Sequence, residues 1–568
     1  MTATTLRRLT AALLLAAAGC SDASSVASTS ATSDATTTCT QPSLAVGEVL
    51  SGLSDLGLCF SNLTSSEEFV LVPFNASSSS ASSALTLSFA GTTSSLSSVA
   101  NLASTSTGTS ITSASNIRSS RIPTFERKLR AVERSALPGL MSAARTWHTA
   151  RLASRTSSGA RFSISSTATT GQLVTLNANA DDACSNAAYH TGRIVAKRDH
   201  AIVVADTSNP AGGFTDAEYA AIATTFDTLV DPVDRDNFGD PTDIDENGHV
   251  VLFFTSAVNA LTPAKSSSYI AGFFFARDLF PTTGTSATVC AGSNVGEMFY
   301  LLAPDPNGSV NGNVFSKADV ASSTLATLGH EYQHLINASR RLYVNDATDW
   351  EETWLDEGLS HIAEELVFYK AAGLSPLSNI TATTLRSSQT YLDAVNNYQI
   401  ENLGRYSEFL AAPAMSSPWA DNDSLSTRGA TWSFLRYLAD HQSATQSTVW
   451  KSLVNSTSSG LTNLESVFGS DIATQARDWA ISSFTDDLLT TATAYTQPSW
   501  NYRTLFPAMG ITPFPLATTT ATAGIPSTLN LVGGGMSVMR FGVSASTSAT
   551  VTWSALPSAV SLSLVRTK

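Results

Sequence analysis

Two histidines and a glutamate in five residues, His330-Glu331-Tyr332-Gln333-His334, restrict this chain more than any other feature of it. In a helix, positions i and i+4 share a face, so the two imidazoles reach one point only if the residues around 330 are helical. Arranged so, they can hold a single metal ion while Glu331 points toward its open side as a base. The flanks predict a helix. Ala321 to Leu328 reads as a helix start, with Ser322 or Ser323 as N-cap, and Leu325, Leu328, Leu335 and Ile336 recur at helical spacing. Gly329 opposes it, costing about 1 kcal/mol relative to Ala in a helix interior.

Such a site needs a third protein ligand. The best candidate is Glu357 in Trp354-Leu355-Asp356-Glu357-Gly358-Leu359-Ser360, which opens a second helix running through His361, Ala363, Glu364, Leu366 and Tyr369. Glu351 and Glu352, with 16 and 17 residues between them and His334, compete for the position but precede that helix. His361, one turn beyond Glu357, faces the same side, where it contacts a ligand imidazole or the substrate, or else lies on the surface. Asn337 and Glu364 fall on the metal-facing stripes of their helices, where hydrogen bonds orient ligands; helix packing is the alternative role.

These residues resemble the gluzincin metallopeptidases, in which HExxH is followed by a helix carrying the third ligand, often written W-L-N-E-G. Asp356 stands where Asn is usual, and the 22 residues between His334 and Glu357 imply a longer connection. The closer likeness is to the hyicolysin family of secreted bacterial metallopeptidases, whose motif is similar to His330 through Asn337 followed by W-L-N-E-G-L-S. It covers roughly residues 180 to 440 and includes the Val295 to Pro304 strand and the Asp240 to Phe254 turn. The resemblance implies an α+β fold with a zincin-like metallopeptidase domain, one Zn²⁺ on His330, His334 and Glu357, and peptide hydrolysis with Glu331 as general base. A donor for the oxyanion is expected among Tyr391, Tyr398, Tyr406, His361 and Arg340.

Gly296 to Pro304 reads as a strand shortly before the metal helix, either an edge against which an extended peptide lies or a buried core strand. Two other functions are weighed. Gluzincin aminopeptidases share W-L-x-E-G but add a G-x-M-E-N-type segment, which Gly296-Glu297-Met298-Phe299 matches only in part. A non-catalytic surface adhesin with a structural metal has no use for Glu331, which no ligand set needs.

Arg7 and Arg8, the apolar run Leu9 to Ala18 and Gly19-Cys20 read as a bacterial export signal, with Cys20 the lipidated residue of a lipoprotein box or with cleavage nearby. The expected location is lipid-anchored at the cell envelope or secreted, with membrane contact only through Cys20. Cys39, Cys59, Cys184 and Cys290 remain, an even set that allows three pairings. Cys39 to Cys59 and Cys184 to Cys290 is the one that stays within the domains below. A net charge of −14 argues against nucleic acid, and the peptidase activity that the resemblance implies makes proteins or peptides the expected partners. Arg121, Arg127, Lys128, Arg130, Arg134, Arg145, Arg151 and Arg155 form one basic stretch, read as a solvated helix between domains or a propeptide processing site. Asp243, Asp245 and Asn247 begin like a calcium loop, but Phe254 at the twelfth position excludes an EF-hand; a tight turn or a Ca²⁺ site remains.

The expected order is a signal at 1–20, a Ser/Thr-rich linker at 21–39, a β-rich sandwich-like domain at 40–120 and a basic helical linker or pro-segment at 121–170. The metallopeptidase domain follows at 171–505, with a small β-domain at 506–568.

Overall fold

The computed structural model describes residues 39–53, 57–97, 111–112, 119–154, 164–284 and 288–568; the expected signal, all of the linker but Cys39, and Arg155 lie outside them. The N-terminal region forms β1 (Val49–Ser51), β2 (Gly57–Phe60), β3 (Glu67–Asn75) and β4 (Ser83–Ala90). The middle supplies β5 (Leu173–Asn177), β6 (Tyr189–Lys197), β7 (Ala201–Asp206), β8 (Val250–Thr255), β9 (Gly272–Phe274) and β10 (Met298–Leu302). The chain closes with β11 (Thr519–Thr520), β12 (Ser527–Leu531), β13 (Met539–Val543), β14 (Ala549–Trp553) and β15 (Val560–Arg566).

The two β-rich ends, expected as separate domains, are instead interleaved in two sheets ordered β1-β15-β3-β13-β11 and β12-β4-β14-β2. Strand β3 lies between β15 and β13, and β4 between β12 and β14, so neither end can complete a sheet without the other. Each end alone would leave long unpaired edges, and insertion of the partner strands removes them. Phe60, Phe69, Phe89 and Phe541 fill the core between the sheets, with ring centroids 4.9 to 5.7 Å apart. Cys39 pairs with Cys59 and Cys184 with Cys290, as expected.

The middle region is a mixed α/β layer. Its sheet runs β5-β6-β7-β8-β10-β9, with β7, β8 and β10 parallel to one another and β9 antiparallel at the edge. Strands β8 and β10 are apolar on both faces and wholly buried, as strands covered on two sides must be. Of the two readings for Gly296 to Pro304, the core strand is therefore the observed one, and the neighbouring edge strand is β9.

Helix Lys317–Tyr343 packs across β9 and β10; helix Thr353–Ala372 packs on it, and helix Leu425–Asp440 packs on that one and on Ile400–Ala411. The first begins earlier than expected. Ser316 is its N-cap, accepting from Asp319 N at 3.1 Å, whereas Ser322 and Ser323 lie inside the helix. Arg340 and Arg341 occupy its last turn, opposite in charge to the helix C-terminus. Helix Thr353–Ala372 stops at Gly373, left-handed at φ 66°. Among the described residues no helix is long and apolar enough to cross a membrane.

Candidate metal centre

The one-face rule for i and i+4 places His330 and His334 with their Nε2 atoms 3.2 Å apart. Glu357, from the first turns of the next helix, completes the set: its Oε2 lies 3.3 Å from His330 Nε2 and its Oε1 lies 3.7 Å from His334 Nε2. Donors about 2.0–2.1 Å from a tetrahedral zinc ion stand roughly 3.3–3.4 Å from one another, so the spacing fits such an ion. The competitors point elsewhere. Glu351 pairs with Arg341 and accepts from Gly460 N and Asn463, and Glu352 accepts from the Trp354 indole.

Both imidazoles are backed by carboxylates. His330 Nδ1 donates to Glu364 Oε1 at 2.7 Å, and His334 Nδ1 stands 2.9 Å from Asp356 Oδ2. Such partners leave the Nε2 lone pair free to face inward. Asn337 in turn donates to Asp356 Oδ1 at 2.6 Å, so Asn337 and Glu364 both stand behind the two imidazoles. His361 is fully buried rather than on the surface, with its ring 4.8 Å from that of His330 and Nδ1 3.2 Å from both Glu364 Oε1 and an Arg405 nitrogen.

The electrostatics favour a cation. Burial, with Arg121 beside it, lowers the pKa of His330 to about 3, which keeps it neutral as a ligand must be. Burial would also depress His334, but Asp356 and Glu357 override it and raise its pKa to about 10. Burial opposes ionisation of Glu357 as well, yet Arg428 and His334 hold its carboxylate well below the usual range. Arg428 lies 2.6 Å from Glu357 Oε2, but neither carboxylate oxygen accepts a well-directed hydrogen bond, a deficit that a bound cation would make good. Gly358 makes Arg428's approach possible, since a Cβ there would meet Thr431 Cγ2 at 2.4 Å and Leu435 Cδ1 at 2.9 Å on the facing helix.

Glu331 is engaged on both oxygens. Oε2 accepts from Phe274 N of the edge strand at 2.8 Å, and Oε1 accepts from Arg121 at 2.5 Å. The basic stretch is thus not simply a solvated helix. Over Pro123–Ala136 its Glu126, Arg130 and Glu133 are buried, as is Arg121 just before it, while Lys128 faces solvent. Arg130 lies 2.7 Å from Glu133 and 3.9 Å from Glu357, and Glu133 also accepts from Ala276 N at 2.7 Å. The acidic centre draws these guanidinium groups inward. A signal existed in the sequence, because Glu126, Arg130 and Glu133 recur at i, i+4 and i+7 on one helical face.

Of the five expected oxyanion donors, His361 stands at the centre and Tyr398 lines a cavity of about 470 Å³ beside it, with Arg121, Thr327 and Glu364. Tyr406 is held in an aromatic cluster by Ser483, and Arg340 binds Asn455 and the Asp240 carbonyl. Asp243 and Asp245 meet Glu297 in a second group that can in principle hold a cation. Asn247 is occupied within the turn, its amide donating to Asp245 Oδ2 at 2.7 Å. The Glu297 carboxylate accepts from Thr242 and Ile244 N there, a structural use that leaves it no substrate amine to hold.

No protein-family model matches the chain. Over 204 residues, 35% of this chain, it is 26% identical to the neutral metalloprotease ShpI of Staphylococcus hyicus. The match spans 43% of that relative's length, and with the buried His and Glu cluster it supports a distant link to a metallopeptidase superfamily.

Proposed function

We propose that this chain is a zinc-dependent endopeptidase that hydrolyses proteins outside the cytoplasm, with zinc on His330, His334 and Glu357 and with Glu331 as general base. The observation that carries this reading is the convergence of three ligand side chains from two helices, their facing atoms 3.2 to 3.7 Å apart, with the outer nitrogens of both imidazoles facing carboxylates. Zinc supplies Lewis acidity toward a scissile carbonyl and toward water. The chain supplies the rest. Glu364 and Asp356 keep each imidazole in the tautomer that directs Nε2 inward, and Arg428 keeps Glu357 ionised. Glu331 takes the proton of the attacking water on its carboxylate and passes it to the leaving amine.

Strand β9, the last strand of the sheet and joined to Glu331 through Phe274 N, is the one an extended polypeptide of any sequence would pair with once the residues beside it are displaced. Export, with lipid attachment at Cys20 or release after cleavage nearby, is supported by the basic and apolar pattern of residues 1–20 and by two disulfides, which persist in oxidising compartments.

Casein hydrolysis by the wild type, by the wild type with a chelator and by Glu331→Gln, with zinc content measured in each, tests the reading. Loss of hydrolysis in Glu331→Gln at unchanged zinc content is expected. A zinc-loaded Glu331→Gln enzyme that still cleaves casein removes the base.

A further inference from the structure

The ligand atoms and Glu331 are sealed: His330, Glu331 and Glu357 are each 1% exposed and His334 is 2% exposed. A polypeptide cannot enter a centre so closed, so an element that covers it must move if proteins are to be cut. We infer that residues 119–136 are a built-in inhibitor, an internal segment that fills the substrate groove and holds Glu331 out of use. This rests on the metallopeptidase reading above.

Three observations carry the inference. First, the segment lies where a substrate backbone would lie. Tyr269 N donates to the Ser119 carbonyl at 3.0 Å, Ala271 N donates to the Ser120 carbonyl at 3.2 Å, and Arg121 donates to the Gly272 carbonyl at 3.2 Å. Ser119 and Ser120 thus lie along the stretch that leads into β9, and the Arg121 side chain caps the Gly272 carbonyl within it.

Second, Arg121 engages the proposed base directly. With Arg121 on one oxygen and Phe274 N on the other, each oxygen of the Glu331 carboxylate already carries a donor, so an attacking water must compete with the Arg121 guanidinium for Oε1. Helix Pro123–Ala136 seals the rest through Arg130 near Glu357, Glu133 on Ala276 N, and Phe125 set edge-on to Phe273 with centroids 5.5 Å apart.

Third, the segment walls two cavities. One, of about 470 Å³, is lined by Ser120, Arg121, Thr327 and Glu364; the other, of about 30 Å³, is lined by Arg130, Glu133, Phe274, His334 and Asp356. Residues of the segment wall both. With it displaced, both cavities lose that wall.

The test compares the zinc-loaded full chain with Arg121→Ala/Arg130→Ala, with Arg121→Lys, and with Lys128→Ala, whose side chain faces solvent on the same helix. Two quantities are read: hydrolysis of a short quenched peptide, and the rate at which EDTA strips zinc. Hydrolysis in the double variant is expected to rise about tenfold or more, because activity scales with the fraction of open molecules, and zinc loss is expected to quicken. Arg121→Lys keeps the charge without the planar fork, so it shows a smaller rise in both and decides the matter if the double variant does not fold. Lys128→Ala matches the wild type. Wild-type rates in both Arg variants overturn the inference, as does lower hydrolysis at full zinc content, which would make Arg121 a permanent part of the working site. Faster zinc loss with no hydrolysis in any chain overturns the peptidase reading, and with it the inhibitor, and leaves the segment only a cover on the metal centre.

Discussion

Asp356 Oδ2 lies 2.9 Å from His334 Nδ1, the residue just before one ligand backing the imidazole of another. Adjacent helix positions project about 100° apart, so Glu357 and Asp356 can address two sides of the same ring only because the two helices cross at this point. The departure from Asn at this position therefore places a charge behind the ligand. Asp356→Ala is expected to weaken zinc binding by about 10- to 100-fold, and Glu364→Ala by a similar factor through His330. Competition against a chelator of known affinity measures both; an unchanged affinity refutes the role.

Arg428 and Glu357 form a fully buried pair at 2.6 Å, with Asp423 on the other side of the guanidinium at 2.8 Å. Removing one member of such a pair costs about 3–5 kcal/mol, because the other charge is left without compensation. Arg428→Leu is expected to melt well below the wild type without metal. Saturating zinc should restore part of the loss, about 2.7 kcal/mol at a hundredfold excess over Kd, since zinc binds the folded state. Thermal denaturation with and without zinc checks this, and equal losses in both conditions would separate Arg428 from the metal centre.

Gly358 is a weak helix former retained for contact. An added Cβ falls 2.4 Å from Thr431 Cγ2, and overpacking of this kind costs about 1–3 kcal/mol, against about 1 kcal/mol gained from helix propensity. Gly358→Ala is expected to lower Tm, and Gly358→Ala/Thr431→Ser, which removes the clashing methyl, should recover part of it.

His190 Nδ1 and Asp206 Oδ2 are 2.6 Å apart, at one end of the β6 and β7 pair. Burial opposes ionisation of Asp206, but His190, Thr255 and Ser208 outweigh it and bring its pKa down to about 2; Asp206 in turn raises the pKa of His190. The Asp206 contribution is complete above its unfolded pKa of about 3.9 and disappears as pH falls through 2. The His190 contribution is complete below about 6.5 and disappears as pH rises through its raised folded value. The pair therefore stabilises most between roughly pH 4 and 6.5. His190→Ala should lower Tm more at about pH 5 than at about pH 8, and an equal loss at both refutes the pairing.

What the sequence determined by itself was local. The spacing of His330 and His334, the acidic start of the second helix, the period-two runs of the strands and the even cysteine set each follow from geometry within a few residues, or from residue type. The helix start at Ser316 escaped because Ser322 and Ser323 offered the same capping chemistry nearer the motif. The tertiary structure alone decided how distant segments meet. It joined the two β-rich ends into one sandwich, put β9 at the edge of the middle sheet and brought Arg121, 210 residues away in sequence, onto Glu331. Helical and strand periods say which side of a segment is apolar or charged, but which partner satisfies a buried charge depends on packing that no local period encodes.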